Sequence, residues 1–60
     1  MKTKVYYMQS NRGYWRFWSS QDECSYVYSP KVAPTLKDAM IAYARDHMRP
    51  LERFDFREVR

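Results

Sequence analysis

Hydrophobic and polar residues alternate along four short stretches of this chain, which is the pattern of β-strands that bury one face. The alternation, with its β-branched and aromatic residues, predicts strands over residues 3–9, 14–19, 24–28 and 53–59. Between the first two strands lies a polar turn at residues 10–13, where the only glycine, Gly13, can adopt a positive φ. We therefore expect a hairpin at the start of the chain, followed by a second polar turn at residues 20–23 and the third strand.

A different periodicity predicts one helix after the third strand. Pro30 and Pro34 mark the preceding residues as a loop, and Thr35 is a suitable helix N-cap. Apolar residues and one histidine then recur at the spacing of a single helical face, at Leu36, Met40, Tyr43, Ala44 and His47. Pro50 is expected to end this helix.

This order of elements, β-β-β-α-β, predicts an α+β fold in a single domain over residues 1–60. We expect a small antiparallel sheet of three to four strands with the one helix packed on one face. The face of the sheet toward the helix is expected to carry Val5, Tyr7, Trp15, Phe17, Phe54 and Phe56. In the third strand either Tyr26 and Tyr28 or Val27 can point inward, and we favour the tyrosines because Val27 shares its face with two serines.

The opposite face of the sheet is expected to be basic and aromatic, and no part of the chain is left to cover it. Four of the eleven basic residues and no acid lie in the first twenty positions, so the formal net charge of +4 belongs largely to that segment. Such a face is typical of a contact surface for an anionic partner, although the rings also suit ordinary cross-strand pairs. We predict a partner-binding site, with Lys2 and Met8 nearby, that consists of Lys4, Tyr6, Tyr14, Arg16, Trp18, Arg57 and Arg60.

No catalytic motif is present, and we expect a protein that is not an enzyme and that holds neither metal nor cofactor. One cysteine and one histidine are too few for a structural zinc site, and one glycine cannot form a phosphate-binding loop. We expect Cys24 to be a buried or half-buried thiol and His47 to pack or to cap the helix. Asp22 and Glu23 are adjacent acids in a turn, with no cleft implied. No apolar run is long enough to span a membrane, and the single cysteine favours the cytoplasm.

Residues 14–60 combine two strands, Thr-Leu-Lys-Asp-Ala-Met at a helix start, a proline after the helix and a final Phe-Asp-Phe-Arg-Glu-Val-Arg. This order resembles the small podophage inhibitors of bacterial RNA polymerase, most specifically at residues 35–39 and 54–60. That family has two or three strands and one helix. It binds the jaw of the polymerase β′ subunit and blocks formation of the open complex. The resemblance implies a phage protein of host takeover that acts in the cytoplasm of a bacterial host.

Carried over by position, the functional arginines of that family's last strand map onto Arg60 and Arg57, and the aligned partner position holds Glu58. The helix mixes basic and acidic residues where the family has a strip of acids. Gly13-Tyr14-Trp15 in a hairpin, with the Thr-Leu helix start, also resembles the N-terminal domain of HicB-like antitoxins.

Three functions fit these expectations. The first is inhibition of a bacterial host enzyme by protein contact, with RNA polymerase as the first candidate. The second is nucleic-acid binding, in which the cations of the outer face meet phosphates and its rings stack on bases. The third is a homodimer or structural subunit that hides the outer face against a second copy or a neighbour.

Overall fold

The computed structural model describes residues 2–59 of the chain. These residues form, in order, β1 (Thr3–Gln9), β2 (Trp15–Trp18), β3 (Tyr26–Tyr28), α1 (Leu36–Asp46), a single 3-10 turn (Leu51–Arg53) and β4 (Phe54–Glu58). The first strand has the predicted bounds, and the other three lie within the predicted ones. Over residues 2–59, no helix is both long enough and apolar enough to cross a membrane.

The four strands form one mixed sheet in the order β3-β2-β1-β4. β2 is antiparallel to both β1 and β3, whereas β4 is parallel to β1. The predicted α+β class with one helix on the sheet is confirmed, but β4 departs from the expected antiparallel arrangement. The helix is the reason, because it carries the chain back along the sheet, so that the strand after it runs in the same direction as β3 and β1.

The hairpin between β1 and β2 closes as the turn residues predict. Gly13 has a φ of +87°, a conformation that side-chain-bearing residues rarely adopt. Its amide donates to the carbonyl of Ser10 at 3.0 Å, and the Ser10 hydroxyl accepts from the amide of Tyr14 at 3.1 Å. Since the turn fixes the register, Tyr6 lies opposite Trp18 and Met8 opposite Arg16.

The core is built around aromatic rings between the sheet and the helix. Phe17 is fully buried, and its ring centroid lies between 5.2 and 5.9 Å from those of Tyr28, Tyr43 and Phe56. Tyr28 is buried and Val27 is 56% exposed, so the tyrosine-inward orientation of the third strand is confirmed. The helix also buries small residues that its predicted apolar stripe did not include, Ala39 and Ala42.

Both ends of α1 are capped by specific hydrogen bonds. Thr35 Oγ1 accepts from the amide of Asp38 at 3.2 Å, as expected of an N-cap. At the other end, the amide of Met48 donates to the carbonyl of Arg45, and the amide of Arg49 donates to that of Ala44. This is a Schellman motif, and it places Met48 in the left-handed region at a φ of 57°. The helix therefore ends at Asp46, before the proline that was expected to stop it.

Candidate functional site: the uncovered face of the sheet

The outer face, defined here as the sheet surface that carries Lys4, Tyr6, Met8, Arg16, Trp18, Asp55 and Arg57, points away from the core. Its large apolar members are partly open to solvent, with Tyr6 38% and Met8 39% exposed. Tyr14, which precedes β2, is 42% exposed, and Trp18 is half-buried. The structure thus brings the predicted site residues together over three neighbouring strands. Arg60, the last of them, lies outside the described residues.

One row of the outer face crosses three strands. Trp18 of β2 lies opposite Tyr6 of β1, which lies opposite Arg57 of β4. The ring centroids of Trp18 and Tyr6 are 6.3 Å apart, within the range of favourable aromatic pairs. The row therefore presents two adjoining rings flanked by a cation.

Arg16 is held beside this row by two contacts. Its guanidinium carbon lies 5.8 Å from the centroid of the Trp18 ring, at the distance of a cation–π interaction. Its Nε donates to the hydroxyl of Ser25 at 3.0 Å. The side chain is exposed and oriented, so a partner that binds it loses less side-chain entropy than it would on a mobile arginine.

Arg57, a predicted partner-binding residue, forms an ion pair with a neighbouring acid on its own strand. Its guanidinium donates to Asp55 Oδ2 at 2.9 and 3.1 Å, and both side chains stand on the same face. Asp55 lies opposite Lys4 across the β1–β4 pair, so this corner of the outer face is a mixture of charges. Lys4 and Arg16 are exposed and form no ion pair within residues 2–59.

A groove runs between the outer face and the loop that joins β2 to β3. It has a volume of about 410 Å³. From the sheet it is lined by Met8, Arg16, Trp18 and the exposed Val59, and from the loop by Ser19, Asp22, Glu23, Cys24 and Ser25. Cys24 is exposed, contrary to the expectation of a buried or half-buried thiol. The groove is large enough to admit one side chain of a partner.

The loop wall of this groove is fixed to the helix by Asp22, a role that sequence reasoning missed. The hydroxyl of Tyr43 donates to Asp22 Oδ2 at 2.6 Å, and His47 Nε2 lies 2.9 Å from Asp22 Oδ1. His47 Nδ1 lies 2.8 Å from the carbonyl of Tyr43, so the histidine both packs and caps, as predicted. The only sequence signal for this cluster was that a histidine shared the apolar stripe with a tyrosine one turn earlier.

These contacts shift the ionisation of the groups that make them. Burial by itself raises the pKa of the Asp22 carboxyl, but hydrogen bonds from Tyr43 and His47 and the charge of His47 outweigh it and hold that pKa below its usual value. Burial, followed by the hydrogen bond to Asp22, raises the pKa of the Tyr43 hydroxyl above its usual value. Asp22 is therefore an acceptor at neutral pH and Tyr43 a donor, which is the arrangement that their geometry requires.

Residues 2–59 contain no cluster of three or more His, Cys, Asp or Glu side chains placed to hold a metal ion. The arrangement on the outer face is one of aromatic rings, cations and a shallow groove, which suits contact with a macromolecule. Comparison with protein-family models, with curated proteins and with solved structures finds no match to this chain.

Proposed function

We propose that this protein is a small binding module that docks its outer face on an acidic surface of a bacterial host enzyme and inhibits it. RNA polymerase is the first candidate for that enzyme. The observation that carries the proposal is the arrangement of Trp18, Tyr6 and Arg16 on an uncovered sheet beside a groove. Trp, Tyr and Arg are the residues that most often dominate the binding energy of protein interfaces.

Three further features support a protein partner. Arg16 is oriented by Trp18 and Ser25 before any partner arrives, which favours bidentate contact with a carboxylate. The groove is lined by the apolar side chains of Met8, Trp18 and Val59 together with that arginine. The resemblance of residues 14–60 to the podophage inhibitors supplies the candidate enzyme, although the pairing of Arg57 with Asp55 moves the expected contact from Arg57 to Arg16.

The proposal is tested by promoter-dependent transcription with purified bacterial RNA polymerase and increasing amounts of the protein. We expect inhibition in the micromolar range or below. Trp18→Ala is expected to weaken inhibition by roughly 30-fold, the loss of about 2 kcal/mol that is typical of an interface hot spot. Arg16→Gln is expected to weaken it without removing the ring.

Two controls separate lost contact from lost folding. Ile41→Ala truncates an apolar side chain that is 40% exposed on the helix, away from the outer face, and should inhibit like the wild type. Circular dichroism melting curves of all variants report folding. Transcription that stays unchanged at high micromolar protein removes RNA polymerase as the target, and equal losses in Ile41→Ala and Trp18→Ala count against the outer face.

A second candidate function is binding of single-stranded nucleic acid to the same face. The specific observation that favours it is the adjoining ring pair of Tyr6 and Trp18, with Lys4 and Arg16 nearby and outside any ion pair among residues 2–59. Base–aromatic stacking contributes about 1–3 kcal/mol per base, and phosphate contacts make such binding weaken with salt.

Fluorescence anisotropy with labelled oligothymidylate distinguishes the two candidates. Nucleic-acid binding predicts an affinity that falls steeply with salt and that Trp18→Ala reduces. Affinity that is undetectable at low salt, together with inhibition of transcription, assigns the outer face to a protein partner.

A further inference from the structure

A second cavity lies at the opposite end of the sheet from the hairpin turn, and it does not belong to the aromatic row described above. Its volume is about 520 Å³. Three separate parts of the chain line it, namely the start of β1, the loop after β2 and the segment after α1, through Lys2, Thr3, Lys4, Ser20, Gln21 and Arg49. Only Lys4 is shared with the outer face.

The lining of this cavity consists of hydrogen-bond donors and cations. Lys2, Lys4 and Arg49 contribute three positive charges, and no acid among the described residues lines the cavity. Thr3 and Ser20 add hydroxyls, and Gln21 adds an amide. None of the three cationic side chains forms an ion pair within residues 2–59.

The nearest acid across the strands is already engaged. Asp55 lies opposite Lys4 in the β1–β4 register, but its Oδ2 accepts both hydrogen bonds from Arg57. Asp55 is therefore paired with Arg57 rather than with Lys4, and it does not line the cavity.

The backbone position of Arg49 at the cavity is fixed by the way α1 ends. The Schellman motif at the end of α1 fixes the Arg49 amide to the carbonyl of Ala44 at 3.1 Å, and Pro50 restricts the backbone of Arg49, the residue before it. Because the helix delivers Arg49 to the end of the sheet where β1 begins, a cation that is distant in sequence joins Lys2 and Lys4.

We propose that this cavity binds a phosphate group, specifically a phosphate monoester. The three cations that line the cavity carry more positive charge than one carboxylate neutralises, whereas a monoester carries a charge of about −1.5 to −2 near neutral pH and offers three acceptor oxygens. The cavity, with a volume of about 520 Å³, is also open enough to leave room for the group to which the phosphate is attached. A free mononucleotide and the 5′ end of a nucleic-acid strand both supply this chemistry. The site does not depend on the proposed inhibition of a host enzyme.

The test is an NMR titration of the whole chain with thymidine 5′-monophosphate, followed through backbone amide shifts at constant ionic strength. We expect saturable shifts at Thr3, Ser20, Gln21 and Arg49. Thymidine, which lacks the phosphate, should leave these amides unmoved. Shifts that are absent, or that sodium chloride alone reproduces, overturn the proposal.

Two matched variants test whether Arg49 itself contributes to binding. Arg49→Gln should weaken binding roughly tenfold, the loss expected for one charge-assisted hydrogen bond. Arg12→Gln removes the same charge from an exposed arginine in the hairpin turn, at the other end of the sheet, and should bind like the wild type. Equal weakening in both variants indicates a general effect of net charge and overturns the site, as does wild-type affinity in Arg49→Gln.

A ten-residue oligothymidylate, with and without a 5′-phosphate, distinguishes the two sources. Tighter binding of the 5′-phosphorylated strand than of the mononucleotide assigns the site to a strand end, and equal or weaker binding assigns it to a free nucleotide. Either result supports a monoester site. If both strands move the same amides with equal affinity, the monoester assignment is wrong. Trp18→Ala should leave the mononucleotide affinity intact, so failure of this proposal and failure of the outer-face function remain distinguishable.

Discussion

At the scale of single residues, Asp22 shows how one carboxylate positions a whole loop. Its side chain is only 6% exposed, and its two oxygens face the Tyr43 hydroxyl and the His47 ring. A buried carboxylate is costly unless it is hydrogen-bonded, and here both oxygens are. The loop from β2 to β3 is therefore fixed to the helix, and with it the wall of the groove beside Arg16.

We expect this contact to make the protein sensitive to acid. The pKa of Asp22 is lower in the folded state than its unfolded value of about 3.9, so its contribution to stability is present above that pH. The contribution is lost as the pH falls through the folded pKa. Asp22→Asn should lower the free energy of unfolding at pH 7 by about 1–3 kcal/mol, as when a buried hydrogen-bond partner is lost. It should also make the free energy of unfolding fall less steeply as the pH is lowered.

Urea unfolding followed by tryptophan fluorescence, repeated between pH 2 and pH 7, measures both effects. Glu23→Gln is the matched control, because it changes the adjacent acid, which is exposed. If the free energy of unfolding falls equally steeply toward low pH in the wild type and in Asp22→Asn, Asp22 is not the source of the acid sensitivity.

At the scale of the element, the turn at the C-terminal end of α1 contains one residue, Met48, in an unfavourable backbone conformation. Met48 occupies the left-handed position of the Schellman motif, which glycine usually fills, and its side chain is 91% exposed. A residue with a Cβ pays roughly 1–2 kcal/mol in this region, and no burial of the side chain offsets that cost. The position serves to turn the chain so that Arg49 and Pro50 leave the helix toward the start of β1.

Met48→Gly should therefore raise the stability of the protein by about 1 kcal/mol, or roughly 4–8 °C in Tm for a domain of this size. Met48→Ala keeps the Cβ in the same conformation and should leave Tm nearly unchanged, which separates the backbone effect from loss of the side chain. The Tm values of both variants and of the wild type are measured by circular dichroism melting. A lower Tm in Met48→Gly would mean that the strain is absent.

At the scale of the whole molecule, local pattern predicted the elements and their two faces, because alternation and helical periodicity are properties of neighbouring residues. The features that local pattern did not predict arise from contacts between segments that are distant in sequence. The parallel pairing of β4 and the placement of Arg49 beside Lys2 at one cavity both follow from where the helix returns the chain. The anchoring of Asp22 was missed for the same reason, since Tyr43 and His47 are far from it in sequence.

The parallel pairing of β1 with β4 also bears on how the chain reaches its fold. β1 is an inner strand, and Val5 pairs with Phe56 near the other end of the sequence. On a ribosome, the first strand emerges long before the strand that covers its open edge, so the hairpin of β1 and β2 must wait as an incomplete sheet. A two-stranded hairpin is marginally stable by itself. We therefore expect the four-stranded sheet to be completed only after β4 has been synthesised, and until then the edge of β1 that β4 covers is unpaired.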